Sequence, residues 1–282
     1  MPIPFAYTFD PTRLDFNFPL VGTIPAIISL GVYCLVRLVS PAGTLSAILA
    51  VAVQYLALNL FHLDGLMDTA DAFLGKASRE KRLEILKDSR FGVYGFFAGF
   101  VAVSVKIALL WELGQSALPL GAATLGEATL GLAALGEAAL GEITLIFAYP
   151  ITGRACAALI PALTAPQGET GLGALVRGSQ AWRVAAGTAL ALFYWAALIS
   201  GFALAFQRHP FPLTVRSLRS ALLLLGIIAC CASGFSAALS RTYKAGIGGY
   251  TGDALGAAVE LGELWHLGAC LIALRCFPPA WR

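Results

Sequence analysis

The chain has 282 residues, 58% of them hydrophobic and only 12% charged, with a formal net charge of +3. Soluble domains carry about 25% charged residues, so an ordinary soluble fold is excluded. The small positive charge, with no basic block beyond Arg79, Lys81 and Arg82, also excludes a nucleic-acid partner. The expected class is all-α: a polytopic bundle in the lipid bilayer, with residues 1–282 forming one integral membrane domain.

The N-terminal segment MPIPFAYTFDPTRLDF has no basic start followed by an apolar run, so a cleavable signal peptide is not expected. A spanning helix needs about 20 apolar residues. Seven stretches approach this, near 18–36, 43–63, 93–113, 143–163, 184–206, 220–240 and 254–275. Pro19 and Pro25 interrupt the first, and Glu260 and Glu263 lie within the last. The six cysteines (Cys34, Cys156, Cys230, Cys231, Cys270, Cys276) sit in or beside these stretches without a CxxC pair, as small buried hydrophobes do. With the N-terminus inside, the connections on that side hold eleven Lys and Arg against six on the other. Positive charge marks the cytoplasmic side, so the aspartate-rich segment after the second span is expected to face the cytoplasm. Between 114 and 142 Leu-Gly recurs every five residues, a period of neither helix nor strand, which reads as a low-complexity spacer.

Chemistry concentrates first in HLDGLMDTADAFLGKASREKRLEILKDSRFGVYG, residues 62–95. Asp64, Asp68 and Asp71 stand at i, i+4 and i+7 and share one helical face. Three carboxylates stacked there repel one another unless a divalent cation lies between them, and hard oxygen ligands suit Mg²⁺. Gly65 permits close approach at the start of this turn, and Ser78 is placed to cap a second short helix. That helix delivers Lys87, Asp88, Ser89 and Arg90: Asp88 to join the metal, Lys87 and Arg90 to meet diphosphate oxygens. His62 reads equally as a packing residue and as a proton acceptor.

A second constellation is GIGGYTGDALGAAVELGELWH, residues 246–266. Asp253 and Glu260 are seven residues apart, hence on one face, and an acid inside a membrane span defaults to a functional reading. Gly248, Gly249 and Gly252 allow a tight turn whose amides suit an anion at a helix start, with Gly249, Thr251 and Gly252 the substrate-binding candidates. Arg154, alone in the fourth span, is the natural counterpart of either acid cluster or of a substrate phosphate; a purely structural Arg154–Glu260 pair is the alternative.

With these residues in view, the chain resembles the cobalamin synthase family, the adenosylcobinamide-GDP ribazoletransferases. The matching blocks are HLDGLMDTAD (62–71), LEILKDSRFGVYG (83–95), Arg154 with its Ala-rich sequel, GLG (171–173) and GGYTGDALGAAVELGE (248–263). Leu58, Asn59 and Leu60 replace the small residues common before His-Leu-Asp, and Ala72 replaces a frequent glycine. The resemblance implies a Mg²⁺-dependent phosphotransferase of a prokaryotic cytoplasmic (inner) membrane, late in cobalamin synthesis. It would join adenosylcobinamide-GDP to α-ribazole or α-ribazole 5′-phosphate, forming adenosylcobalamin or its 5′-phosphate and releasing GMP.

Asp64, Asp68, Asp71 and Asp88 would then hold Mg²⁺ on the diphosphate, and Lys87, Arg90 and Arg154 would neutralise phosphate oxygens. Asp253 and Glu260 would bind a second metal or orient the ribazole hydroxyl, with His62 or an unligated acid taking its proton. A CDP-alcohol phosphotransferase would call for Asp-Gly-x-x-Ala-Arg, whereas Leu66-Met67-Asp68-Thr69 follows Asp64-Gly65 here. An aspartate-rich prenyltransferase needs no Thr-Gly-Asp loop, and a cation transporter would spread acids over several spans at mid-membrane. Small residues from Gly153 to Ala158 permit close helix contact within one chain or in a homo-oligomer, and the size of the corrinoid implied by the resemblance leaves a corrinoid-pathway partner enzyme open.

Overall fold

In lipid every backbone polar group must pair within its own segment, and long apolar runs with that demand become helices. A computed structural model of the chain describes residues 13–40, 42–58, 60–88, 90, 92–117, 137–206 and 215–276. Among these residues the structure is helical, with one isolated parallel bridge between Pro166 and Tyr250.

Helices α1 (Leu14–Val21) and α2 (Thr23–Arg37) make a 24-residue apolar stretch broken at Gly22. α3 (Thr44–Ala57) and α4 (Phe61–Leu74) meet at a bend of 93°. Leu60 in that bend is the only non-glycine with positive φ among the described residues, at 60°, a conformation that costs an L-residue about 1–2 kcal/mol. The expected span at 43–63 is corrected accordingly: the helix ends at Ala57, and the aspartates lie on a second helix that turns away from it. α5 (Arg79–Ile85) begins where Ser78 was expected to cap it, its Oγ accepting the Lys81 N–H at 3.3 Å.

The remaining helices are α6 (Val93–Ala117), α7 (Glu137–Ile146), α8 (Tyr149–Leu163), α9 (Leu172–Leu175), α10 (Ala181–Phe206), α11 (Val215–Ile247) and α12 (Gly252–Cys276). Among the described residues five stretches are long and apolar enough to cross a membrane: 14–37, 93–115, 140–163, 181–201 and 252–276; the bent α3–α4 pair adds a sixth only if its two helices count as one broken span. The seventh expected region, 220–240, lies within α11, of which the side chains of 215–224 lie outside the described residues. Residues 118–136 of the Leu-Gly stretch also lie outside them, while its flanks are helical, in α6 up to Ala117 and in α7 from Glu137.

α8 is the centre of the bundle. In its most apolar window, 94% of the 140–163 stretch is enclosed by protein, against 28% for 93–115. It packs against α1, α10, α11 and α12. The small-residue run serves the α8–α12 contact: a Cβ on Gly262 would lie 3.0 Å from the Gly153 Cα, so the two backbones nearly touch. α4 packs on the other side of α12 and on α6, and this places the aspartates.

Candidate active site

α4 runs antiparallel to the first turns of α12. A Cβ on Gly65 would stand 2.7 Å from the Asp253 carbonyl oxygen, and one on Gly256 would stand 3.3 Å from the His62 Cα. Leu66, Ala102 and Ala257 fill the contact below. This register sets Asp64 and Asp68 beside Asp253, and the carboxylates of Asp64, Asp253 and Asp71 all act on that of Asp68. No ion pair among the described residues involves Asp64, Asp68 or Asp253. Uncompensated hard oxygen donors of this kind fit a divalent cation. As placed, no group of three or more His, Cys, Asp or Glu side chains among the described residues stands close enough to hold a metal ion.

The other expected ligands have different neighbours. Asp71 accepts the Gly92 N–H at 2.6 Å and the Gly95 N–H at 2.9 Å, capping the start of α6. Asp88 lies on the turn after α5 and forms a 2.7 Å ion pair with Arg90. The hydrogen bonds from Arg90 hold the Asp88 carboxyl at about 2, well below the usual carboxylate range. Lys87, next to it, is exposed. Thr251 acts as a helix cap, its Oγ1 accepting the Ala254 N–H at 3.2 Å. Gly249 is packed against Ala165 and Gln167, where Tyr250 exchanges backbone hydrogen bonds with Ala165 and Gln167. Of the expected anion loop, Gly252 lines the open cavity described next.

That cavity, of about 360 Å³, lies between α1, α4, α8 and α12. Asp64 and Asp253 reach it together with His62, whose ring meets Phe18 edge-on at 6.2 Å. Asp15, which sequence reasoning passed over, also lines it. Its Oδ2 accepts the Gln180 N–H at 2.9 Å and so ties α1 to the start of α10. An acid at the head of the first apolar stretch was the available signal. The Arg79 guanidinium packs on Gly248, and Arg82 lies over the Phe73 ring at 5.0 Å and against Gly246. Both bring positive charge to the glycine-rich turn.

Glu260 sits seven residues along α12 from Asp253, about 10 Å deeper at 1.5 Å per residue. It is held by the Lys106 Nζ at 2.6 Å and the Tyr55 hydroxyl at 2.7 Å. Lys106 also donates to Glu263 at 2.7 Å, and Arg154 donates to Glu263 at 3.1 Å. The alternative Arg154–Glu260 pair is therefore corrected: Arg154 pairs with Glu263, and Glu260 with Lys106. All four charged side chains are at most 2% exposed. Two cations and two anions cancel, as burial away from water demands. Gln54 and Tyr149 extend the network to α3 and α8. Lys106 is the main omission of the sequence reading; a lone lysine inside an apolar span requires a buried acid, and Glu260 and Glu263 were already in view.

The whole-chain comparison now decides the family, since residues 1–271 match cobalamin-5-phosphate synthase. The chain belongs to that family. Among curated relatives, the adenosylcobinamide-GDP ribazoletransferase of Shigella boydii serotype 4 is 34% identical over 261 residues, 92% of this chain and 88% of the relative. The protein of the same description from Escherichia coli O157:H7 is 33% identical over the same shares. That of Shewanella amazonensis is 41% identical over 113 residues, 36% of this chain and 43% of the relative. No solved structure matches. Family membership thus covers both acidic blocks and the α4–α12 contact that joins them.

Proposed function

We propose that this chain joins adenosylcobinamide-GDP to α-ribazole or α-ribazole 5′-phosphate in a Mg²⁺-dependent reaction that releases GMP. The single observation that carries the reading is that Asp64 and Asp253, from segments nearly 190 residues apart in the chain, line one cavity, with Asp68 one helical turn from Asp64 and within electrostatic reach of both. Asp64, Asp68 and Asp253 would hold Mg²⁺, which when bound neutralises diphosphate charge and polarises the phosphorus under attack. Arg79, beside the glycine-rich turn, and Lys87 and Arg90, on the exposed turn after α5, approach the diphosphate from the water side. Arg154 is engaged by Glu263 and has a structural task.

A ribose hydroxyl of the acceptor attacks the phosphorus that bears cobinamide. The new O–P bond forms as the bond to the bridging oxygen breaks, and that oxygen leaves with GMP. His62, on the cavity wall beside Asp64, accepts the hydroxyl proton. The site opens toward the cytoplasmic side of a prokaryotic inner membrane, where the positive-inside rule puts the basic α4–α6 connection.

The test is GMP release from adenosylcobinamide-GDP by membranes containing this chain, with each acceptor, after EDTA and after Mg²⁺ is restored. Release that needs both the acceptor and Mg²⁺ is expected. Release insensitive to EDTA removes the metal, and release without acceptor makes the protein a hydrolase.

A further inference from the structure

We infer that the cavity between α1, α4, α8 and α12 is the acceptor subsite and encloses the base and ribose of α-ribazole, a reading that rests on the proposed transferase activity. Size comes first. Its volume of about 360 Å³ falls at the low end for small-molecule sites, roughly 300–1,000 Å³. That is room for a single nucleoside and far too little for a corrinoid ring, so the bulk of the donor stays outside.

Wall chemistry selects between the two halves that remain. Phe18, Phe61, Leu255 and Ala158 make most of the lining apolar. A guanine offers donors and acceptors around its edge, which such walls would leave unpaired at a cost. The benzimidazole of α-ribazole is flat and nearly apolar and loses little by entering. Phe18 and Phe61 supply the aromatic faces and edges that such a ring packs against. The polar groups are the carboxylates of Asp64 and Asp253, with Asp15 on the α1 side, together with His62 and Ser179. Carboxylates accept hydrogen bonds from ribose hydroxyls, and two of them belong to the proposed metal cluster. A nucleoside seated with its base in the apolar part therefore presents its ribose to the phosphorus held there. An acyl chain from the bilayer would find the same apolar walls but would offer no donor to Asp64 and Asp253.

Two substitutions on opposite walls test the inference. Ala158→Leu narrows the cavity, and Phe18→Ala opens it. With Ala158→Leu, the KM for α-ribazole should rise at least tenfold while the KM for adenosylcobinamide-GDP stays within twofold. Phe18→Ala should shift preference, measured as the ratio of kcat/KM values, by at least tenfold toward a ribazole analogue with a bulkier tricyclic base. A folding defect would lower both substrates together and leave that ratio where it was, so the ratio decides even if Ala158→Leu folds poorly.

Unchanged base-size preference in Phe18→Ala, or an effect of Ala158→Leu on the donor KM alone, overturns the inference while the transferase reading stands. A phospholipid retained by the purified protein and lost in Ala158→Leu, with ribazole kinetics unaltered, also overturns it. Wild-type membranes that release no GMP defeat the transferase reading itself; equilibrium binding of α-ribazole to the purified protein, present in wild type and weakened in Ala158→Leu, then still decides the cavity.

Discussion

Replacing Lys106 by Met removes the cation that two buried acids share. The Nζ lies 2.6 Å from Glu260 and 2.7 Å from Glu263. In the variant Glu263 keeps Arg154, but Glu260 keeps only the Tyr55 hydroxyl. Removing one partner of a buried pair costs about 3–5 kcal/mol, because an uncompensated charge remains. For a chain of this size 1 kcal/mol moves Tm by about 2–4 °C, so a fall of roughly 6–20 °C is expected.

The assay is thermal unfolding of the detergent-solubilised protein, followed by loss of the monodisperse peak on size exclusion. The double variant Lys106→Met/Glu260→Gln leaves the neutral Arg154–Glu263 pair and should recover more than half of the loss. It should also retain Mg²⁺-dependent GMP release, since Glu260 serves the network. A Tm shift under about 3 °C in the single variant, or no recovery in the double, would refute the charge-balance reasoning. A stable double variant without activity would return Glu260 to the chemistry.

Asp68→Asn should abolish GMP release without lowering Tm, since it removes one of several mutually repelling carboxylates; retained turnover would take Asp68 out of the site. Gly65→Ala places a Cβ 2.7 Å from the Asp253 carbonyl oxygen. Overpacking of this kind costs about 1–3 kcal/mol, and the displaced aspartates should lose about a hundredfold in kcat, with membrane insertion intact by protease protection. Asp71→Ala should lower Tm by about 2–4 °C, the effect of losing roughly 1 kcal/mol of helix capping. Asp71→Asn should lose less, because an amide oxygen still accepts from Gly92 or Gly95.

Much of the architecture follows from local signals. Apolar runs of spanning length, Ser78 ahead of α5 and the i, i+4, i+7 aspartates are consequences of short stretches of chain, and each was readable there. The bend at Leu60 was not: Asn59 is the residue type that tolerates a left-handed backbone, whereas the positive φ falls on Leu60, which no local preference selects. The same limit applied to Asp71 and Thr251, whose side chains look like ligands in the sequence and act as helix caps in the structure. A carboxylate or hydroxyl serves either purpose, and only its neighbours choose.

Acid identity and spacing in residues 62–71 and 248–263 are properties of the sequence alone; they carry the family and motivate the proposal of metal and diphosphate chemistry. Which acids share a site is a property of three dimensions. Gly65 brings α4 against α12 closely enough for Asp64 and Asp68 to reach Asp253. Glu260, on the same helix, instead turns into the interior, where Lys106 neutralises it. Coulomb energy and desolvation depend on the distances between segments far apart in the chain, and those distances exist only once the helices have packed.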